Sequence, residues 1–202
     1  MYAFDFAGVF RGQKVEPFTG KVGVLHVVPG SFNPVHAAHR WMYESIDDES
    51  IIGRRVGGYE AVCATTSAKY FEISTSRFGK EDLTDQELLT RLRQFSGYAP
   101  VLVTTQSLFS DKYAVLKPFG EKVVFHVGMD TYERLVKASS LTEVGRLGCY
   151  FCVWPRAGVK LPGNAPLNCY SSNVEPPPHL EGLSSTKIRE GLLDASGKKI
   201  ST

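Results

Sequence analysis

The sequence contains no apolar run long enough to cross a bilayer. Residues Met1 to Phe10 are apolar, yet they lack a basic start, include Asp5 and are far shorter than a signal or membrane segment. Neither a leader nor membrane contact is expected, and the cytoplasm, or an organelle matrix, is the expected location. Excess charge of either sign is also missing, since 23 Lys and Arg stand against 21 Asp and Glu, for a formal net charge of +2. That balance gives no ground for a nucleic-acid partner or an anionic surface. Cysteine is scarce: Cys63, Cys149, Cys152 and Cys169. Cys149 and Cys152 have the spacing of a metal or redox pair, but their run has strand character, in which i and i+3 side chains point to opposite faces. No second such pair follows, and only Cys169 and His179 remain to complete a zinc site. Buried thiols and no metal ligands are expected. A Walker lysine, a carboxylate cluster and a nucleophile–base pair are absent as well.

At 202 residues, 43% hydrophobic and 22% charged, the chain has the size and composition of one globular domain. It reads as a single domain over 1–202, with residues 1–20 lying on a core of 21–196 as an extra hairpin or edge strand. Strands are expected at about 21–28, within 59–74, at 101–104, 122–127 and 149–154. Helices are expected at about 35–48, after the capping box Thr84-Asp85-Gln86-Glu87, at 108–116, 131–138 and 185–194. The Pro-, Asn- and Ser-rich stretch 160–179 favours an extended, loop-like path. Such alternation implies an α/β fold, a mainly parallel sheet with helices on both faces. In such sheets ligands bind beyond the carboxyl ends of the strands, where strand order reverses. Gly30, Gly128 and Arg156 all follow strand ends.

Chemistry concentrates in Val24 to His39, where an apolar strand meets a Pro29-Gly30-Ser31 turn and then a helix start. His36 and His39 are spaced i, i+3, which puts both rings on one side of the first helical turn. A glycine at the strand end allows close approach to the backbone, and N–H groups at the helix start attract anions. The stretch therefore reads as a phosphate site built from backbone, dipole and histidine. Near the C-terminus, Lys187 and Arg189 fall in the first turn of a helix capped by Ser184 or Ser185, an unfavourable place for cations unless an anion sits there. Asp130, just past a strand end, suits a helix cap.

The string Gly30-Ser31-Phe32-Asn33-Pro34-Val35-His36-Ala37-Ala38-His39 resembles the first signature of the nucleotidyltransferase superfamily, G-(S/T)-F-(D/N)-P-x-H-x-G-H, with Ala38 at the glycine position. Leu183-Ser184-Ser185-Thr186-Lys187-Ile188-Arg189 is similar to the second, I-S-S-T-x-I-R. Val124 to Asp130 resembles the F-I-I-G-A-D strand of nicotinate and nicotinamide mononucleotide adenylyltransferases, and Val153 to Gly158 their later R-P-G segment. The resemblance implies a Rossmann-like fold of nucleotidyltransferase type. It also implies transfer of AMP from ATP to the 5′-phosphate of a pyridine mononucleotide, with magnesium carried by the ATP.

Carried over to this chain, the resemblance makes His36, His39 and Arg189 the catalytic set, the two rings holding charge that builds on the α-phosphate. Ser184, Ser185, Thr186 and Lys187 would join Arg189 on the outer phosphates. Gly30, Ser31, Phe32 and Asn33 would line the nucleotide, Asn33 near the acceptor phosphate. Gly128 would line the nucleotide, Asp130 would contact the ribose hydroxyls, and Arg156 would lie near the nucleotide. Two alternatives stay open: a cytidylyltransferase or adenylyltransferase with another phosphate acceptor, and a non-catalytic nucleotide-binding regulator. Assembly into a homo-oligomer also stays open.

Overall fold

A computed structural model describes residues 2–4, 21–47, 67–76, 79, 81–155, 159, 161–172 and 174–200. The expectations for Arg156, Cys63 and the rest of 5–20 and 48–66 lie outside the described residues. The strands are β1 (Tyr2–Phe4), β2 (Val22–Pro29), β3 (Ser67–Ser74), β4 (Val101–Thr104), β5 (Gly120–Gly128), β6 (Tyr150–Trp154) and β7 (Cys169–Ser171). The helices are α1 (Ala37–Glu44), α2 (Asp85–Arg93), α3 (Phe109–Leu116), α4 (Met129–Arg146) and α5 (Ser185–Arg189).

The seven strands form one sheet in the order β1-β4-β3-β2-β5-β6-β7. Every pairing from β4 to β7 is parallel, and β1 adds antiparallel to β4 at the edge. Counted from β2, the parallel strands follow the order 3-2-1-4-5-6, the Rossmann arrangement. The α/β, mainly parallel architecture read from the sequence is therefore the observed one. Among the described residues no helix is long and apolar enough to cross a membrane.

Alternation along each strand sorts the core into two layers. Val24, Val28, Phe71, Ile73 and Trp154 face one side, with Tyr43 of α1 and Leu92 of α2. Leu25, Val27, Phe125, Phe151 and Val153 face the other, with Leu116 of α3 and Met129 and Tyr132 of α4. Helices thus cover both faces, which is why β2 is buried throughout its middle. The capping box of α2 is formed: Glu87 N–H donates to Thr84 Oγ1 at 3.2 Å, and Thr84 N–H to Glu87 Oε2 at 2.9 Å.

Several boundaries differ from the sequence reading: α1 spans Ala37–Glu44 against the expected 35–48, and β5 Gly120–Gly128 against the expected 122–127. α5 stops at Arg189 instead of 194, because Gly191 has φ 72° and turns the chain out of the helix. α4 runs on to Arg146 but is broken at Ser140, where φ is 61°. Within the stretch expected to be loop-like, Cys169–Ser171 extends the sheet beside β6, three residues too short to show a period.

Candidate functional site

β2 and β5 are adjacent, and the chain winds away from them in opposite directions, so the switch point lies between their carboxyl ends. A hollow of about 370 Å³ opens there. Of the expected residues, it is lined by Gly30, Ser31, His36, His39, Gly128, Asp130, Ser184, Ser185, Thr186 and Arg189. Phe32, Asn33 and Lys187 do not line it. A larger hollow of about 980 Å³ beside β7 holds none of these residues.

The turn after β2 is shaped by Phe32. Its φ of 44° lies in the left-handed region, which costs roughly 1–2 kcal/mol for an L-residue. That turn drives the ring into the core, 1% exposed, edge-on to Phe71 and Phe95 at 5.2 Å each. Burying a phenylalanine side chain stabilises by roughly 1.5–3 kcal/mol, enough to offset the backbone cost. The ring also explains Gly30: a Cβ there would lie 2.6 Å from Phe32 Cζ. Phe32 is thus a wedge under the site, and the glycine serves the wedge.

The main chain of this turn is gripped from two sides. From α2 and its end, Arg91 Nη1 donates to Ser31 O at 3.0 Å and Gln94 Nε2 to Phe32 O at 3.1 Å, while Gln94 Oε1 accepts from Val35 N–H at 2.8 Å. From α5, Ser185 Oγ donates to Pro34 O at 2.9 Å and Arg189 Nη1 donates to Asn33 O. The two hydroxyl and guanidinium groups expected on outer phosphates therefore hold the turn here. Lys187 Nζ donates to Gly182 O at 2.8 Å, and Ser184 Oγ caps α5 by accepting from Lys187 N–H.

Past the turn, the rings of His36 and His39 stack with centroids 3.7 Å apart and planes 20° off parallel. His39 also sits edge-on to Phe32 at 5.0 Å. His36 N–H donates to His39 Nδ1 at 3.3 Å, which assigns the proton of a neutral His39 ring to Nε2. Ala37 N–H donates to Ala195 O at 3.0 Å. The helix start is thus less open to anions than the sequence suggested, because one ring and the C-terminal segment take its first two N–H groups.

On the opposite wall Gly128 precedes the first turn of α4, and Asp130 lies in that turn without capping it. A Cβ at Gly128 would sit 2.9 Å from Asp130 Oδ1, so the glycine leaves room for the carboxylate to fold over the strand end. Asp130 and Arg134 approach to 3.7 Å, both well exposed, a contact worth about 0–1 kcal/mol.

Beneath the hollow runs a feature the sequence did not disclose. Trp154 Nε1–H donates to His126 Nδ1 at 3.2 Å, which leaves the His126 proton on Nε2, within 2.9 Å of His26 Nδ1. The chain crosses β6, β5 and β2, and His126 and Trp154 line the hollow's floor. Each histidine looks like one polar interruption in an apolar run; only strand register brings them together. Burial, reinforced by His26, holds His126 well below its ordinary value of 6.5. The unfolded chain then takes up a proton below pH 6.5 that the folded chain refuses, so stability falls as pH drops, by up to ~1.4 kcal/mol per pH unit from this group. Urea unfolding at pH 7.5 and 5.5 should show that slope, and His126→Gln should flatten it; an unchanged slope in the variant removes His126 as its source.

Cys149 and Cys152 lie in opposite core layers, as the strand alternation required. Burial pushes the Cys149 and Cys169 thiols up to about 12, and Cys152 upward too, so these thiols are protonated core residues. Among the described residues no group of three or more His, Cys, Asp or Glu is placed to hold a metal ion.

Fold and hollow together define a Rossmann-like α/β protein with a polar, ligand-sized site at its switch point. No protein-family model matches the sequence, and no curated protein matches it either.

Proposed function

We propose that the chain is a nucleotidyltransferase that moves AMP from ATP to the 5′-phosphate of nicotinamide or nicotinate mononucleotide. The observation that supports this most is the meeting of the two signature-like segments. Ser185 reaches Pro34 across 151 positions of sequence and Arg189 reaches Asn33 across 156, so the histidine pair and the Ser184–Arg189 turn share one hollow. In the proposed reaction an oxygen of the acceptor phosphate attacks the α-phosphorus of ATP. The bond from the α-phosphorus to the bridging oxygen breaks, and pyrophosphate leaves with that electron pair. The acceptor is already an anion, so no general base is needed, and positioning with charge stabilisation carries the rate. Magnesium enters on the triphosphate as part of the substrate. His36 and His39 donate toward the α-phosphate, Arg189 and Thr186 toward the outer phosphates, and Asp130 accepts from ribose hydroxyls. A cytoplasmic location belongs to the same proposal.

The test is pyrophosphate release from ATP with magnesium, run with nicotinamide mononucleotide, with nicotinate mononucleotide and with no acceptor. Release that depends on one mononucleotide supports the assignment and names the base. Release only with CTP or another phosphorylated acceptor moves the protein to a sister activity. ATP binding by calorimetry without release from any pair makes it a non-catalytic binder. Arg189→Ala should weaken ATP binding about tenfold, the size of one charge-assisted hydrogen bond, and slow transfer as well. Unaltered ATP affinity in that variant would place the triphosphate elsewhere.

A further inference from the structure

The turn that carries the histidines has no regular hydrogen-bond ladder of its own after Gly30, whose N–H makes the last rung to Glu72 O at 3.0 Å. Its shape is therefore set by the side chains that reach it. Those from α5 are exposed or half-exposed, and the proposed function asks them to engage phosphate. Arg91 is 4% exposed and Gln94 half-buried, and neither lines the hollow. Gln94 does something only a carboxamide can do at that length. It accepts from Val35 N–H and donates to Phe32 O with one planar group, pinning the turn across Asn33 and Pro34. A carboxylate would lose the donor, and an ammonium or guanidinium would lose the acceptor.

We infer that Gln94, backed by Arg91 on Ser31 O, is the positioning residue that fixes the Ser31–Val35 turn and through it aims His36 and His39 into the hollow. The inference deepens the transferase reading and rests on it for its kinetic consequence, though not for its geometry. Val35 immediately precedes His36, so a turn freed at Val35 N–H lets the first residue of the pair rotate. Misplacement of reacting groups on the scale of an ångström lowers rate far more than affinity.

The experiment compares Gln94→Ala, Gln94→Glu and, as a packing control on the same helix, Leu88→Ala. In steady-state pyrophosphate release, Gln94→Ala should lower kcat about tenfold or more with the KM for ATP nearly unchanged. Gln94→Glu should fall between it and wild type, because the Val35 contact survives. Leu88→Ala should lower the melting temperature without that drop in kcat. In parallel, proton and nitrogen NMR of the histidine rings reads the geometry without any reaction. Gln94→Ala should weaken the ring-to-ring cross-peaks between His36 and His39 and shift their titration curves. If kcat in Gln94→Ala stays at wild type while transfer is robust, the positioning role is overturned and the function stands. If wild type transfers nothing, the function is what fails, and the ring spectra decide the positioning role: unchanged cross-peaks and titrations in Gln94→Ala overturn it.

Discussion

In the proposed transfer reaction, His39→Ala should reduce turnover about a hundredfold, the loss seen when one prearranged donor is removed from a charge-stabilising site. This ring is held firmly before any substrate arrives. His36 stacks on one face at 3.7 Å, Phe32 meets it edge-on at 5.0 Å, and His36 N–H occupies its Nδ1 at 3.3 Å. A donor fixed in this way needs no reorganisation as charge develops, which is where the rate advantage comes from. The ring is only half-buried, so its removal should leave the fold largely intact. Pyrophosphate release per active protein, paired with a thermal melt, separates the two effects. Turnover within a few-fold of wild type at normal stability takes His39 out of the mechanism.

Lys112→Met should destabilise the protein by about 3–5 kcal/mol, as removal of one member of a buried ion pair does. Glu72 on β3 is fully buried, and its carboxylate accepts from Lys112 Nζ of α3 and from Thr104 Oγ1 of β4. Without the ammonium, a carboxylate is left in the core with a single hydroxyl. Adding Glu72→Gln to Lys112→Met should therefore restore most of the loss, although each change alone removes the same contact. Urea unfolding of both single variants and the double measures this. A double variant as unstable as the sum of the singles would falsify the buried-charge explanation. The pair also bears on the site, because the same Glu72 gives its carbonyl to Gly30 N–H at the root of the histidine turn.

What was legible in the sequence is what local pattern encodes. The apolar run before Gly30, the Thr84–Glu87 box and the short apolar run Phe151 to Trp154 each specify an element without help from the rest of the chain. From such elements the parallel sheet and its ligand-bearing edge follow. The hidden parts depend on contacts distant in sequence. Phe32 in a turn looks like a ligand-facing ring, and only the packing of Phe71 and Phe95 makes it a wedge. Gln94 is one more polar residue at a helix end until Val35 is brought beside it. Ser185 and Arg189 look free for phosphate until the turn they hold is in place. The Trp154–His126–His26 chain needs three strands in register.

The grip of α5 and of Ala195 on the histidine turn has a consequence for biosynthesis. The sheet is built from residues that emerge early and in the middle, β7 ending at Ser171. The groups that close around Asn33, Pro34 and Ala37 are Arg189, Ser185 and Ala195, all of which follow the last strand of the sheet. Such distant contacts form late, after the nearer ones have taken most of the chain entropy. A nascent chain can thus own a complete sheet while its histidine turn still lacks its second jaw. The second jaw would close only once the Ser184–Ala195 segment is made and has docked on the turn.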